Sequence, residues 1–234
     1  MDATIASGAP GWLTAAAVNL VMSANDDQAT MQAVLGATLA VPDGQPLVWA
    51  LRLLGHTRAT RVYGPDLMAH YCAHAASTGT PIYLYGGRSY EALELLRARL
   101  LERFPGLQIA GGWSPPFRQL SAEEQAYVVE RIDASGAQVV WVGTGQPKQE
   151  LWMHEMRPRL AAPLLVGVGA AFDFHAGIVS QAPGWMQRNG LEWLYRLSRE
   201  PGRLWRRYLT QNPRFLVGFL RQYLLERRGG PRQA

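Results

Sequence analysis

Between residues 38 and 169, short apolar runs alternate with longer stretches of helical character, and that alternation leaves few folds open to the chain. The runs cover residues 38–41, 81–85, 107–110, 138–142 and 163–168, and most lead into glycine: Gly86 and Gly87, Gly111 and Gly112, Gly143, Gly169. Short apolar runs bounded by glycine read as buried strands. Helices are expected between them. Ser89 opens one, with Glu91 in its first turn and apolar positions at Leu93, Leu96, Leu100 and Leu101. Ser121 opens another, and Glu124 three residues on completes a capping box. Strand and helix in alternation predict an α/β fold with a parallel sheet covered on both faces. Ligands of such sheets bind beyond the carboxyl ends of the strands. Four loops lie there, at residues 42–44, 86–87, 143–150 and 169–177, and they are expected to converge.

After Pro183 the pattern changes. Up to residue 228, ten arginines (188, 196, 199, 203, 206, 207, 214, 221, 227 and 228) face only Glu192, Glu200 and Glu226, with Trp185, Trp193 and Trp205 among them. Pro201 and Pro213 divide this region into three expected short helices, since proline suits a first helical turn. The reading is a main domain over residues 1–182, a basic, aromatic, helical appendage over 183–228, and a disordered tail over 229–234. The whole chain carries a net charge of +5 and a pI near 9.7, which favours acidic partners: nucleic acid, anionic lipid or a phosphate-bearing substrate. A single cysteine, Cys72, excludes an internal disulfide and suits a reducing compartment. The first residues lack a signal-peptide pattern, and no apolar run approaches the ~20 residues that span a bilayer, so a membrane role is expected to be peripheral. The last helix, 212–228, puts Phe215, Leu216, Phe219, Leu220, Tyr223 and Leu224 on one stripe flanked by arginines. Such a stripe packs on a core or lies on anionic lipid. Nucleic acid is not expected, because no RNP-type or KH-type loop accompanies the basic residues.

The densest chemical signal is Gly143-Thr144-Gly145-Gln146-Pro147-Lys148-Gln149-Glu150, between a strand and a helix. Gly143 and Gly145 let the backbone approach a ligand, the helix start offers N–H groups to an anion, and Gln146, Gln149 and Glu150 can hydrogen-bond a base or a sugar. The segment matches neither G-x-G-x-x-G nor G-x-x-x-x-G-K-[ST], and an ordinary capped turn explains it equally well. Asp43 is either a general base at a strand end or a turn aspartate in Pro-Asp-Gly. Asp66, after Gly64-Pro65, reads as a helix N-cap. Asp173 stands between two phenylalanines near a strand end, where solvated surface is a poor account of it. Thr14 follows Trp12-Leu13 and reads as the end of a first strand. His70 and His74 share a helix face without a neighbouring glutamate, and no Asp-x-Asp pair occurs, so no metal or other cofactor is expected and a leaving diphosphate would fall to helix N-termini and arginines.

These residues carry a resemblance. The chain resembles the WecG/TagA/CpsF glycosyltransferases in Val41-Pro42-Asp43-Gly44, Gly64-Pro65-Asp66-Leu67, Tyr85-Gly86-Gly87, the Val142 to Glu150 segment, Gly167-Val168-Gly169-Ala170-Ala171-Phe172-Asp173-Phe174 and Gly190-Leu191-Glu192-Trp193-Leu194-Tyr195-Arg196-Leu197. The resemblance runs from about Thr14 to Leu216. It implies a Rossmann-like fold with a C-terminal appendage, and an inverting, metal-independent transfer from a UDP-sugar donor to a polyprenyl-diphosphate-linked sugar acceptor at the inner face of the cytoplasmic membrane. It makes Asp43 the catalytic base with Thr14 beside it. Gly86, Gly87, Gly143, Gly145, Gln146, Gln149, Glu150 and Asp173 become substrate-binding. Arg196, Arg203, Arg206 and Arg207 become the arginines that close over the diphosphate and dock on an anionic membrane surface. The chain departs from the pattern at Ala16, where the family usually has asparagine, at Gln181, where it usually has arginine, and at His175, usually apolar. Little room precedes Thr14 for the strand and helix that usually stand there. A rival reading is a catalytically silent protein that binds nucleotide-sugar or lipid-linked glycan. The sugar and the oligomeric state, homo-oligomer included, stay open.

Overall fold

The structure, a computed structural model, describes residues 1–228. The side chains of Arg203 and Arg228, and residues 229–234 with the tail expected there, lie outside the described residues. The elements are α1 (Asp2–Ser7), β1 (Gly11–Ala16), α2 (Val18–Asp26), α3 (Gln28–Leu35), β2 (Leu39–Pro42), α4 (Gln45–Leu53), α5 (Gly64–Thr78), β3 (Ile82–Gly86), α6 (Tyr90–Arg103), β4 (Ile109–Trp113), α7 (Ala122–Ala134), β5 (Val139–Gly143), α8 (Lys148–Met156), β6 (Leu164–Gly167), α9 (Ala171–His175), α10 (Gly184–Arg188), α11 (Glu192–Arg199) and α12 (Pro201–Arg228).

One all-parallel sheet, in the order β2-β1-β6-β5-β3-β4, makes the fold α/β and Rossmann-like. The strands read as continuous apolar runs because helices cover both faces. Side chains alternate between two cores, as the strand period of two requires. Ile82, Leu84, Val139, Trp141, Leu164 and Val166 pack with Met68, Cys72 and Ala75 of α5, Leu93, Leu96 and Leu100 of α6, and Phe172 of α9. Tyr83, Tyr85, Val140, Val142 and Leu165 pack with Val128 and Ile132 of α7 and Met153 and Met156 of α8. The central residues Val139, Val140, Trp141 and Val142 are wholly buried.

The expected helix starts form by the expected chemistry. Ser89 Oγ accepts from the Ala92 N–H at 3.2 Å. Ser121 Oγ accepts from the Glu124 N–H at 3.2 Å, and the Glu124 carboxylate accepts from the Ser121 N–H at 2.8 Å. Arg118 also grips Glu124 and holds its carboxyl down to about 2. Elsewhere the structure differs from the expectation. Asp66 is not an N-cap: α5 begins at Gly64 with Pro65 in its first turn, which puts Asp66 inside that turn, where the helix dipole favours a carboxylate. Gly111 and Gly112 do not end β4 but lie within it, because a Cβ at Gly111 would stand 2.6 Å from the Tyr83 ring. Pro213 does not divide the C-terminal region: α12 runs through it for 28 residues. The carbonyl that its missing N–H leaves without a helical partner belongs to Leu209, an exposed residue.

The chain divides into two compact units. The first comprises Met1–Ala15, Ala29–Val41 and Val62–Gln181, and holds both cores. The second joins Ala16–Gln28 and Pro42–Arg61 to the segment from Ala182 onward. Thus α2 and α4 belong with the C-terminal helices. In this unit α12 packs on α2, where Arg214 forms a two-pronged ion pair with Asp26 at 2.5 and 2.8 Å. The ion pair holds the Asp26 carboxyl below its usual range.

Candidate functional site

In the first unit, α6 leaves β3 on one face of the sheet and α8 leaves β5 on the other. Neighbouring strands with diverging helices open a crevice at their carboxyl ends, the usual ligand position in such sheets. Three of the four expected loops meet there. The Gly87 N–H donates to the Gly143 carbonyl at 3.3 Å, and the Gly169 N–H donates to Gln149 Oε1 at 3.0 Å. Gly86 has φ +136° and approaches Gly143 so closely that a Cβ would lie 2.6 Å from the Gly143 carbonyl carbon. Gly143 itself is packed against protein rather than open to a ligand, since a Cβ there would stand 2.5 Å from the Phe172 ring. Gly145 differs: its φ is +85° and no atom lies within 4 Å of a Cβ position. Gln146 is half-buried and donates to the Ala15 carbonyl at 2.7 Å.

Thr14, Gln149 and Glu150 are fully buried. The Thr14 hydroxyl donates to Glu150 Oε1 at 2.6 Å, and Gln149 Nε2 donates to the same oxygen at 2.8 Å. All six residues of β1 are buried because both faces of the sheet are covered, and alternation turns Thr14 toward the first turn of α8. These buried bonds tie β1 to the start of α8 behind the strand-end loop. Asp173 is largely buried and takes both Nε and a terminal nitrogen of Arg88 on Oδ2 at 2.9 Å. Arg88 escaped the sequence reading, although a basic residue directly after Gly86-Gly87 was a usable signal. His175, at a usually apolar position, is accommodated by a 2.9 Å bond between Nε2 and the Pro65 carbonyl, and burial lowers its pKa.

Glu150 makes a prediction possible. Burial pushes its carboxyl above the ordinary value of 4.5, while the bonds from Thr14 and Gln149 pull the other way. The native state then holds this proton more tightly than the unfolded chain. Its contribution to stability is full below 4.5 and is lost as pH rises through the native pKa. Glu150→Gln cannot titrate. Urea unfolding of both proteins at about pH 4 and about pH 8 should show the variant gaining on the wild type as pH rises. A constant difference would contradict a raised native pKa.

The second unit holds a pocket. It is lined by Ala17, Val18 and Asn19, by Asp43 to Pro46, by Arg61, and by Gln187, Gly190, Glu192, Trp193, Arg196, Arg207, Tyr208, Gln211 and Asn212. Asp43, Arg196 and Arg207, distant in sequence and all expected at a site, come together here. The Asp43 side chain is 25% exposed, enough for a ligand to reach, and lies 3.9 Å from an Arg61 terminal nitrogen. Arg61 Nε donates to the Asp43 carbonyl, and the same terminal nitrogen meets Glu192 Oε2 at 2.5 Å. Arg206 does not line the pocket: it is exposed and lies over the Trp205 ring, 5.2 Å from its centroid. Arg207, half-buried one residue further along α12, is the one turned toward the cavity. The Arg203 side chain lies outside the described residues. Arg61 and Glu192 are site residues that sequence reasoning missed. Arg61 lies in a loop without a motif, and Glu192 sat inside a matched segment without a role. Among the described residues, no three His, Cys, Asp or Glu side chains gather so as to hold a metal ion.

The family model described as the glycosyl transferase WecG/TagA/CpsF family matches residues 1–229. The chain belongs to that family. Membership covers both units and makes this chain a glycosyltransferase of cell-surface polysaccharide synthesis. The pocket that gathers Asp43 with three arginines is thus the candidate active site of a glycosyltransferase-family member.

Proposed function

We propose that this glycosyltransferase moves a sugar, of the N-acetylmannosamine type or glucose, from UDP to a polyprenyl-diphosphate-linked acceptor with inversion. The observation that carries the reading is the second unit's pocket, where one accessible carboxylate, Asp43, stands among Arg61, Arg196 and Arg207. Asp43 takes the proton from the acceptor hydroxyl. The freed oxygen attacks the anomeric carbon, the bond from that carbon to the diphosphate oxygen breaks, and UDP departs from the opposite face. The chemistry needs a base for the first step and positive charge for the last. Arginine suits the last because its planar fork matches phosphate oxygens. We assign the nucleotide to the strand-end loops of the first unit, where Gly145 and Gln146 offer an open backbone and an amide, with Thr14, Gln149 and Glu150 setting that loop.

Attachment to the inner face of the cytoplasmic membrane is part of the proposal. No helix among the described residues is long and apolar enough to cross a membrane. Leu209, Leu216, Val217, Leu220, Leu224 and Leu225 of α12 are exposed, and so are Arg221 and Arg227. An apolar stripe edged by arginine suits an anionic bilayer surface, at about 1 kcal/mol for each basic residue near it.

The test is UDP release by the purified protein with a synthetic GlcNAc-diphosphate-lipid acceptor and UDP-ManNAc, UDP-ManNAcA or UDP-glucose, with and without EDTA. Acceptor-dependent release with one donor is expected, undiminished by EDTA. UDP binding without release from any donor, with a glucose-diphosphate-lipid acceptor also tried, would instead favour the silent binding protein and make Ala16 the residue to revert.

A further inference from the structure

We propose that Glu192 is a positioning residue that holds the Arg61 guanidinium off the Asp43 carboxylate, and so keeps that carboxylate basic enough to accept a proton. The inference rests on Asp43 as the base and adds a device for setting its strength.

The argument starts from how the guanidinium spends its donors. An arginine beside a carboxylate ordinarily forks onto both oxygens. Arg61 does not. Its Nε is given to the main-chain carbonyl of Asp43, one terminal nitrogen is 3.5 Å from Gln187 Oε1, and the other is given to Glu192 Oε2 at 2.5 Å. That last nitrogen lies 3.9 Å from Asp43 Oδ1, beyond hydrogen-bond length. The Arg61 and Glu192 side chains are only 17% and 16% exposed, so water screens their attraction weakly. Glu192 is seated by its approach. Gly190, at φ +68°, brings the chain against the Trp49 ring, where a Cβ would stand 2.8 Å from it, and α11 begins two residues later.

The device matters because of the company Asp43 keeps. The charged and titratable groups lining its pocket are Arg61, Arg196 and Arg207, the Tyr208 phenol, and Glu192 as the other carboxylate. An opposite charge within about 4–6 Å stabilises a carboxylate anion and lowers its pKa by about 1–3 units. A carboxylate so stabilised is a poor base, since catalysis favours a pKa near the working pH. Glu192 opposes this in two ways: it adds negative charge, and it draws the Arg61 guanidinium aside.

The test reads Asp43 directly and needs no substrate. The protein is labelled at aspartate Cγ with carbon-13, the Asp43 resonance is identified by its loss in Asp43→Asn, and its pH midpoint is followed by NMR. Glu192→Gln should lower the midpoint by about 1 unit. Arg61→Gln should raise it. Because Glu192 acts largely through Arg61, the effect of Glu192→Gln should fall to half or less in the Arg61→Gln background. An unchanged or raised midpoint in Glu192→Gln, or an equal shift in both backgrounds, overturns the proposal. If Glu192→Gln does not fold, Glu192→Asp, one methylene shorter, withdraws the carboxylate from Arg61 and is read the same way. Full turnover by Asp43→Asn would remove Asp43 as base without touching this result, so the two failures are distinct.

Discussion

Asp43→Asn is expected to lower kcat by about 10²- to 10⁴-fold, the range that a positioned general base supplies, while UDP affinity stays largely unchanged. The substitution keeps the shape of the side chain and removes its capacity to take a proton. The bonds from Arg61 to the main-chain carbonyl of residue 43 and to Glu192 do not involve the group that changes. A loss of activity would therefore report chemistry and not collapse of the pocket. Single-turnover rates with saturating donor and acceptor, set beside calorimetric UDP affinity, separate the two. Full activity would mean that the base lies elsewhere and that Asp43 is a turn residue, the reading that Pro-Asp-Gly equally allows.

Gly86→Ala should cost about 3–5 kcal/mol of stability, a large share of the 5–15 kcal/mol that typically holds a domain together. Two causes act together. The backbone has φ +136°, which side chains rarely tolerate, and the new methyl would stand 2.6 Å from the main chain of Gly143, which cannot swing aside. Gly145→Ala shares only the first cause. Its φ is +85°, with nothing within 4 Å of the added carbon, so a cost of about 1–2 kcal/mol is expected. Denaturant unfolding of both variants measures the gap. Equal costs would show that the approach of the β3 loop to the β5 loop is not what demands glycine. UDP affinity should report differently, because Gly145 stands open in the proposed nucleotide loop while Gly86 is pressed against protein.

Much of this was legible in the sequence, for identifiable reasons. Apolar runs ending in glycine marked the strands because a parallel sheet covered on both faces admits no polar alternation. Ser89 and Ser121 marked helix starts because capping is local chemistry, decided within four residues. The Asp43 and Gly143 to Glu150 segments marked candidate sites because strand-end loops are where such sheets bind ligands. The family followed from long segments that lie close together in sequence. The first strand, by contrast, showed only as Trp12-Leu13-Thr14.

What only the tertiary structure decided concerns pairs far apart in the chain. Thr14 and Glu150 are 136 residues apart, and only the packing of α8 against β1 shows that both are buried and bonded to each other. Arg61 and Glu192 are 131 residues apart and lie in two segments that no local pattern connects. The continuation of α12 through Pro213 and the choice of Arg207 over Arg206 for the pocket were likewise closed to the sequence. A proline's cost depends on whether water reaches the carbonyl it frees, and a helical arginine's role on which way its face is turned. Propensity and pattern act over a few residues and determined the elements. Burial, charge pairing and cavity lining depend on distances between elements, so they determined which side chains became the candidate site.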